Sequence, residues 1–96
     1  MSEVALGQVF ALSENVVSRE VSGELVLMDL ESGMYFGLNL VGGRIWQMLD
    51  KQAQPLAAIC DAIEEEFEAP RAAIESDVTS LAKDMMEQGL IVAQAA

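Results

Sequence analysis

The residues of this chain that could do chemistry are few: one cysteine, Cys60, no histidine, and 16 acidic residues. A cysteine nucleophile needs a neighbouring base to form its thiolate, and without histidine no Cys/His dyad can be built. Cys60 also falls on the apolar stripe of a predicted helix, which is typical of a buried structural thiol. We therefore expect no catalytic residue in this chain.

Carboxylates are the remaining candidates for metal binding, since histidine is absent and cysteine occurs once. None of them has the loop spacing of a calcium site. The acidic run at residues 64–66 could be a docking face for a basic partner, but charge runs on helices are usually solvated surface. The sequence predicts no metal site and no cofactor.

Length and charge exclude several classes of protein. A chain of 96 residues, 52% hydrophobic and 22% charged, fits one folded domain. Its net charge of -11 opposes binding to a phosphate backbone. The sequence has no apolar run of the roughly 20 residues that cross a bilayer and no positive signal-like start, and its single cysteine suits a reducing compartment. We expect a cytoplasmic protein that binds neither nucleic acid nor membrane.

The first half of the chain predicts β-strands. The clearest unit is a hairpin, with strands at residues 24–30 and 34–38 and a glycine-containing turn at 31–33. Residues 16–21 are a plausible partner strand, and residues 7–12 predict a further short strand or an ordered arm. The sequence therefore predicts a three-stranded antiparallel sheet.

The second half predicts three helices. Asn39 can cap the first, on which Trp46 is expected to be a core anchor. The second begins near Pro55, the third covers about residues 71–88, and residues 90–92 return as a short strand or packed tail. Strands followed by helices predict an α+β fold. We divide the chain into an arm or short strand at 1–15, a domain at 16–92 and a tail at 93–96.

Over residues 16–92 the sequence resembles the PqqD-like family, the recognition domains for ribosomally synthesised and post-translationally modified peptides (RiPPs). The order and spacing of three segments carry the resemblance: GELVLMD at 23–29, MYFGLN at 34–39 leading into GGRIW at 42–46, and IESDV at 74–78 continuing through Leu81 to GLI at 89–91. One departure is the loop before the second helix, where Lys51 follows Asp50 and Gln54 precedes Pro55.

The resemblance implies a winged helix-turn-helix-like fold without catalytic activity. It implies that the domain binds the leader of a precursor peptide along the edge of the last strand of the sheet, facing the third helix, and presents it to a modifying enzyme. Among subfamilies the chain is most similar to the stand-alone leader-binding proteins of lasso-peptide biosynthesis, whose partner is a leader peptidase.

Backbone pairing alone would not hold such a leader. Ordering six leader residues costs on the order of 6–12 kcal/mol, whereas about six hydrogen bonds return about 1 kcal/mol each. Apolar side chains must supply the difference. Alternation places Met34, Phe36 and Leu38 on one face of the strand and Tyr35 and Gly37 on the other, and the sequence leaves open which face lines the groove.

We expect the peptide to be bound by residues of the edge strand and of the third helix. They are Met34, Tyr35, Phe36, Gly37, Val78, Leu81, Ala82 and Met85. Asp77 is expected instead to support its own helix or to meet Arg71.

Alternative functions are a winged-helix DNA-binding regulator, a PqqD-type chaperone for a radical SAM enzyme in quinone cofactor biosynthesis, and a subunit or inhibitor that binds only an enzyme. In the DNA-binding hypothesis residues 55–67 and 71–88 form the helix pair. The recognition helix would then carry Arg71 and Lys83 against four acidic residues, which argues against it.

Overall fold

The computed structural model describes residues 4–94. Four strands precede the first helix, and two short strands follow it. In chain order the elements are β1 (Val9–Leu12), β2 (Val16–Val21), β3 (Glu24–Asp29), β4 (Tyr35–Leu38), α1 (Leu40–Lys51), β5 (Gln54–Pro55), α2 (Leu56–Glu66), α3 (Arg71–Glu87) and β6 (Ile91–Ala93). The predicted α+β fold, with a three-stranded antiparallel sheet followed by three helices, is confirmed.

Strands β2, β3 and β4 form an antiparallel meander with β3 in the centre. Ser22 and Gly23 join β2 to β3, and both have positive φ angles, of 53° and 83°. Such angles match a two-residue turn whose twist suits a hairpin. Gly33, with φ of 76°, closes the loop to β4, where its N–H donates to the Asp29 carbonyl at 2.7 Å. The predicted hairpin is therefore present.

A second sheet joins the two ends of the described chain. Its strand order is β5-β1-β6, with β1 antiparallel to both neighbours. The short strand expected near residues 7–12 is β1, but its two partners were not predicted. Phe10 of β1 is fully buried in the core, so the core extends across the boundary drawn at residue 15.

The helices pack around a core that includes the inner face of the meander. The side chain of Asn39 accepts a hydrogen bond from the Gly42 N–H at 2.7 Å, which confirms the predicted cap of α1. Trp46 is 2% exposed, as expected of a core anchor. The buried residues are Phe10, Leu27, Ile45, Trp46, Leu49, Leu56, Ile59, Cys60, Ile63, Ile74, Val78, Ala82, Met85, Leu90 and Ile91. No helix within residues 4–94 is long and apolar enough to cross a membrane.

Arg71 at the start of α3 ties this helix to α2. Its Nη1 lies 2.7 Å from Asp61 and 3.3 Å from Glu64, and its Nε lies 2.8 Å from Glu75. Hydrogen bonds to Glu75 and Asp61 raise the pKa of Arg71, so it stays charged. The expected contact between Asp77 and Arg71 is absent from the ion pairs of the described chain, and Asp77 is exposed to solvent.

Candidate functional site

The outer edge of β4 has no partner strand among the described residues. The sheet order places β4 beside β3 on one side only. The C-terminal strand β6 pairs with β1 in the other sheet and so does not cover this edge. An uncovered strand edge presents unpaired N–H and C=O groups to which an extended peptide can bind.

The hydrogen bonds of the hairpin identify which backbone groups of β4 are free. The Asp29 N–H donates to the Met34 carbonyl at 2.9 Å, so Met34 faces β3. Backbone direction alternates along an antiparallel strand, and Phe36 and Leu38 therefore also face β3. Tyr35 and Gly37 direct their N–H and C=O groups outward. The edge thus offers four groups, fewer than the six assumed from the sequence.

The two faces of β4 differ in burial. Phe36 and Leu38 are half-buried and pack against the core, whereas Tyr35 is 70% exposed and Gly37 is exposed. The structure therefore assigns the faces that the sequence left open, with Tyr35 and Gly37 on the outer face of the sheet. Met34 immediately precedes the strand and is 57% exposed.

A groove between α1 and α3 begins where β4 ends. It consists of two adjoining pockets of about 270 and 300 Å³ that share Val41 and Asp77. The first pocket is lined by Asn39, Val41, Asp77, Ser80 and Leu81. The second is lined by Val41, Ile63, Phe67, Glu68, Ala69, Ile74 and Asp77. The pocket next to β4 is lined mainly by polar side chains, whereas most side chains of the second pocket are apolar, so the second pocket can accept apolar side chains of an extended ligand.

The helix residues expected at the site are not equally accessible. Leu81 is half-buried and lines the groove, but Val78 and Ala82 are fully buried and Met85 is only 3% exposed. These three pack in the core and present almost no surface to a ligand. The apolar stripe of α3 is thus mainly its core face, with Leu81 at the border of the groove.

Among the described residues that line the groove, Leu81 alone was in the predicted site, and Val41, Asp77 and Ser80, which line the same pocket, were not. Asp77, Ser80 and Leu81 are spaced three and four residues apart, which places them on one face of α3. That spacing is visible in the sequence. An apolar helical pattern does not include it, however, because two of the three residues are polar. Among the described residues that line the two pockets, Asp77 and Glu68 are carboxylates and none is a lysine or arginine. The groove therefore suits an apolar ligand with a neutral or basic flank.

Cys60 lies away from this groove and is fully buried. Burial raises the pKa of its thiol, which keeps the sulfur protonated and unreactive. Across residues 4–94 no three metal-binding side chains come together.

An α+β domain with a free strand edge beside a partly apolar groove has the architecture of a peptide-recognition module that works by strand addition. Comparison with protein families agrees: residues 24–91 match the family described as coenzyme PQQ synthesis protein D (PqqD). The chain belongs to the PqqD family and is a PqqD-like RiPP recognition element. No curated protein sequence matches it.

Two solved structures are similar over nearly the whole fold, and both contain a peptide. The first, TbiB1 in complex with the TbiA(beta) leader peptide, is 34% identical with a TM-score of 0.80, covering 90% of this chain and 99% of TbiB1. The second, lasso peptide synthetase B1 complexed with the leader peptide, is 25% identical with a TM-score of 0.74, covering 86% of this chain and 96% of that one.

Proposed function

We propose that this protein binds the leader of a ribosomally made precursor peptide as an added strand on β4, and presents the precursor to a modifying enzyme or leader peptidase in lasso-peptide biosynthesis. The observation that carries the proposal is the free edge at Tyr35 and Gly37 beside the groove of α3. The similarity to two proteins bound to leader peptides, one of them a lasso peptide synthetase B1, supports it.

The free edge and the groove have separate energetic roles. Four edge hydrogen bonds contribute about 1 kcal/mol each, or about 4 kcal/mol together. Ordering a six-residue leader segment costs more, on the order of 6–12 kcal/mol. Two apolar leader side chains buried in the groove would add roughly 1.5–3 kcal/mol each. The edge therefore sets the register of the leader, and the groove supplies affinity and selectivity.

Strand addition also determines which leader side chains project to each face of the sheet. Leader residues directly opposite Tyr35 and Gly37 project to the outer face of the sheet, and the residues between them project toward the α3 side. A matching leader has apolar residues at alternate positions. The carboxylate of Asp77 favours a basic residue near the part of the leader that lies over the groove.

Only residues with accessible surface are kept in the proposed binding site. On β4 and the residue before it they are Met34, Tyr35, Phe36 and Gly37, and in the groove they are Leu81, Val41, Asp77 and Ser80. Val78, Ala82 and Met85 hold α3 in place from the core side. The protein acts by binding and not by catalysis, and its place of action is the cytoplasm.

Hydrogen exchange tests this proposal residue by residue. In the free protein the Tyr35 and Gly37 amides face solvent and exchange fast, whereas the Phe36 and Leu38 amides are bonded to β3. Addition of the leader encoded beside the gene is expected to slow exchange at Tyr35 and Gly37 and to leave Phe36 and Leu38 nearly unchanged. A scrambled leader of the same composition is the control. If the leader binds without new protection at Tyr35 and Gly37, it does not bind by strand addition on β4. If the leader does not bind at all, the proposed function is wrong.

The family description favours a second candidate, a PqqD-type chaperone for a radical SAM enzyme in quinone cofactor biosynthesis. Both candidates use the same edge and differ in the peptide. A lasso-type leader and a quinone-cofactor precursor can be compared by competition for binding to this protein. The peptide of the natural class is expected to bind more tightly.

A further inference from the structure

Strand β6 has a second free edge, in the sheet that joins the two ends of the described chain. The strand pairs with β1 on one side, and within the described part of the chain no strand lies on its other side. The Gln94 N–H donates to the Val9 carbonyl at 2.9 Å, so Gln94 and Val92 face β1. Ile91 and Ala93 therefore direct their N–H and C=O groups outward, where another strand can pair with them.

The outer strands of the two sheets differ in their protection against such pairing. Natural edge strands are commonly protected by charged side chains or by proline. Strand β2 carries Arg19 and Glu20, and β5 carries Pro55, which has no N–H to donate. Among the described edge strands, only β4 and β6 contain neither a charged residue nor a proline. Because β4 is assigned to the leader, β6 is left as an unprotected edge without an assigned partner.

The sheet that contains β6 is uncharged in a strongly acidic chain. Its strands lie within residues 4–13, 52–60 and 88–94, and these segments contain no Asp, Glu, Lys or Arg. The net charge of -11 therefore comes from the rest of the sequence. A basic partner would be attracted by the acidic surfaces, whereas an acidic partner can approach closely only where the charge is absent. A second copy of this chain is such a partner.

We propose that two copies of this protein associate by antiparallel pairing of β6 with β6 of the second copy. A two-fold axis at Val92 places Ile91 of each copy opposite Ala93 of the other, so that their outward N–H and C=O groups bond to each other. The two Val92 side chains, each 46% exposed in the single chain, then lie directly across the axis from one another. The two sheets that contain β6 join edge to edge.

The size of the contact determines how strong the dimer is. The pairing segment is three residues long, so the interface is small and the dimer exchanges with monomer. Strand β4 lies in the other sheet, and its edge stays free when β6 pairs. The dimer forms without a leader and offers two leader-binding edges, so this association goes beyond the proposed function and can be measured without any peptide.

Two complementary variants test the contact at the two-fold axis. Val92→Glu and Val92→Lys each place like charges opposite one another, and each is expected to raise the dimer dissociation constant by at least about tenfold. A mixture of the two variants places opposite charges across the axis and is expected to form a heterodimer about as stable as the unmodified dimer. Sedimentation equilibrium of the full chain at micromolar to millimolar concentrations measures the association, and circular dichroism checks that each variant is folded.

The matched control is the same pair of substitutions at Val17. This valine is 45% exposed, nearly the same as Val92, and it lies in β2 of the other sheet. Val17→Glu and Val17→Lys are expected to dimerise as the unmodified protein does, separately and mixed. If mixing the folded Val92 variants produces no heterodimer, the axis does not lie at Val92 and the proposal is wrong.

Proline variants identify which edge the two copies share. Ala93→Pro removes an outward N–H while leaving the bonds of β6 to β1, and it is expected to dissociate the dimer. Gly37→Pro makes the same change on β4 and should leave the dimer unchanged. An unmodified protein that stays monomeric at millimolar concentration would overturn the proposal. So would a dimer that Gly37→Pro dissociates and Ala93→Pro retains, because the two copies would then meet at β4.

Discussion

Gly37 lies directly opposite Val26 in the β3–β4 ladder, yet its backbone N–H and C=O point away from Val26 toward the free edge. Within residues 4–94 no strand pairs with the Gly37 amide, whereas the amide of the next residue, Leu38, faces β3. Adjacent residues of one short strand thus serve different purposes, with one set holding the sheet together and the other available to a ligand.

Gly37→Pro is expected to block leader binding while leaving the domain folded. Proline is tolerated in an edge strand where its missing N–H would have faced solvent. The leader would lose one hydrogen bond and keep an unpaired carbonyl, which costs about 1–3 kcal/mol, or roughly 5- to 150-fold in affinity. Fluorescence anisotropy with the labelled leader measures the loss, and circular dichroism checks the fold.

Two variants control for this experiment. Gly37→Ala should bind nearly as well as the unmodified protein, because a Cβ at Gly37 meets nothing within 4 Å and its φ is not positive. Phe36→Pro should instead destabilise the hairpin, because the Phe36 N–H faces β3. Full leader affinity in folded Gly37→Pro would show that the leader does not pair with this edge.

Leu81→Ser tests the groove. Leu81 is half-buried at the border of the groove, so shortening it leaves the core largely intact but removes apolar contact with the leader. The expected loss is about 1 kcal/mol of binding free energy, roughly fivefold in affinity. Val92→Ser, on the other sheet, should leave affinity unchanged. If folded Leu81→Ser binds as tightly as the unmodified protein, the leader does not use this part of α3.

Met85→Ser is expected to behave differently from Leu81→Ser, although both residues belong to the apolar stripe of α3. Met85 is 3% exposed, so the change leaves a cavity and a polar group in the core, at a cost of about 2–5 kcal/mol of stability. Chemical denaturation should show a lower midpoint for Met85→Ser and a nearly normal one for Leu81→Ser. Equal midpoints would contradict the assignment of Met85 to the core.

Local signals explain what could be predicted from the sequence. The cap at Asn39, the glycine turn of the hairpin and the apolar spacing around Trp46 each involve residues close in the chain, and these elements were predicted within a few residues. The pairing of β1 with β5 and β6 involves segments about 40 and 80 residues away, and a four-residue strand carries no pattern that specifies such partners.

The accessible groove side of α3 could not be predicted from the sequence for a related reason. The family resemblance pointed to β4 and strand alternation separated its two faces, but periodicity in α3 detects the side that packs in the core. The groove side of α3 begins at Asp77 and Ser80, which are polar and resemble ordinary solvated residues. Only the neighbourhood of Val41 and Asn39, set by tertiary packing, distinguishes them from the rest of the helix surface.

Phe10→Ala tests whether the N-terminal strand is part of the folding unit. Phe10 is fully buried, and its removal should cost about 3–5 kcal/mol out of the roughly 5–15 kcal/mol that stabilises a domain of this size. Urea unfolding should therefore show a large shift to lower midpoint in a single transition. A loss below about 1 kcal/mol would indicate that residues 9–12 form a dispensable arm and that the domain begins near residue 16.

Cys60 gives the protein a specific alkaline sensitivity. Burial raises its pKa above the ordinary value of 9.0, with Glu75, Asp61 and Glu64 adding to the effect and Arg71 opposing it. The unfolded chain therefore ionises first, so the contribution is constant below pH of about 9 and stability is lost as pH rises further. Urea unfolding across this range should show the fall in the unmodified protein and a smaller one in Cys60→Ala. In parallel, a thiol reagent at pH 8 should modify Cys60 rapidly in urea and slowly in the native state. Rapid modification of the native protein would show that the thiol is accessible and would reopen a chemical role for it.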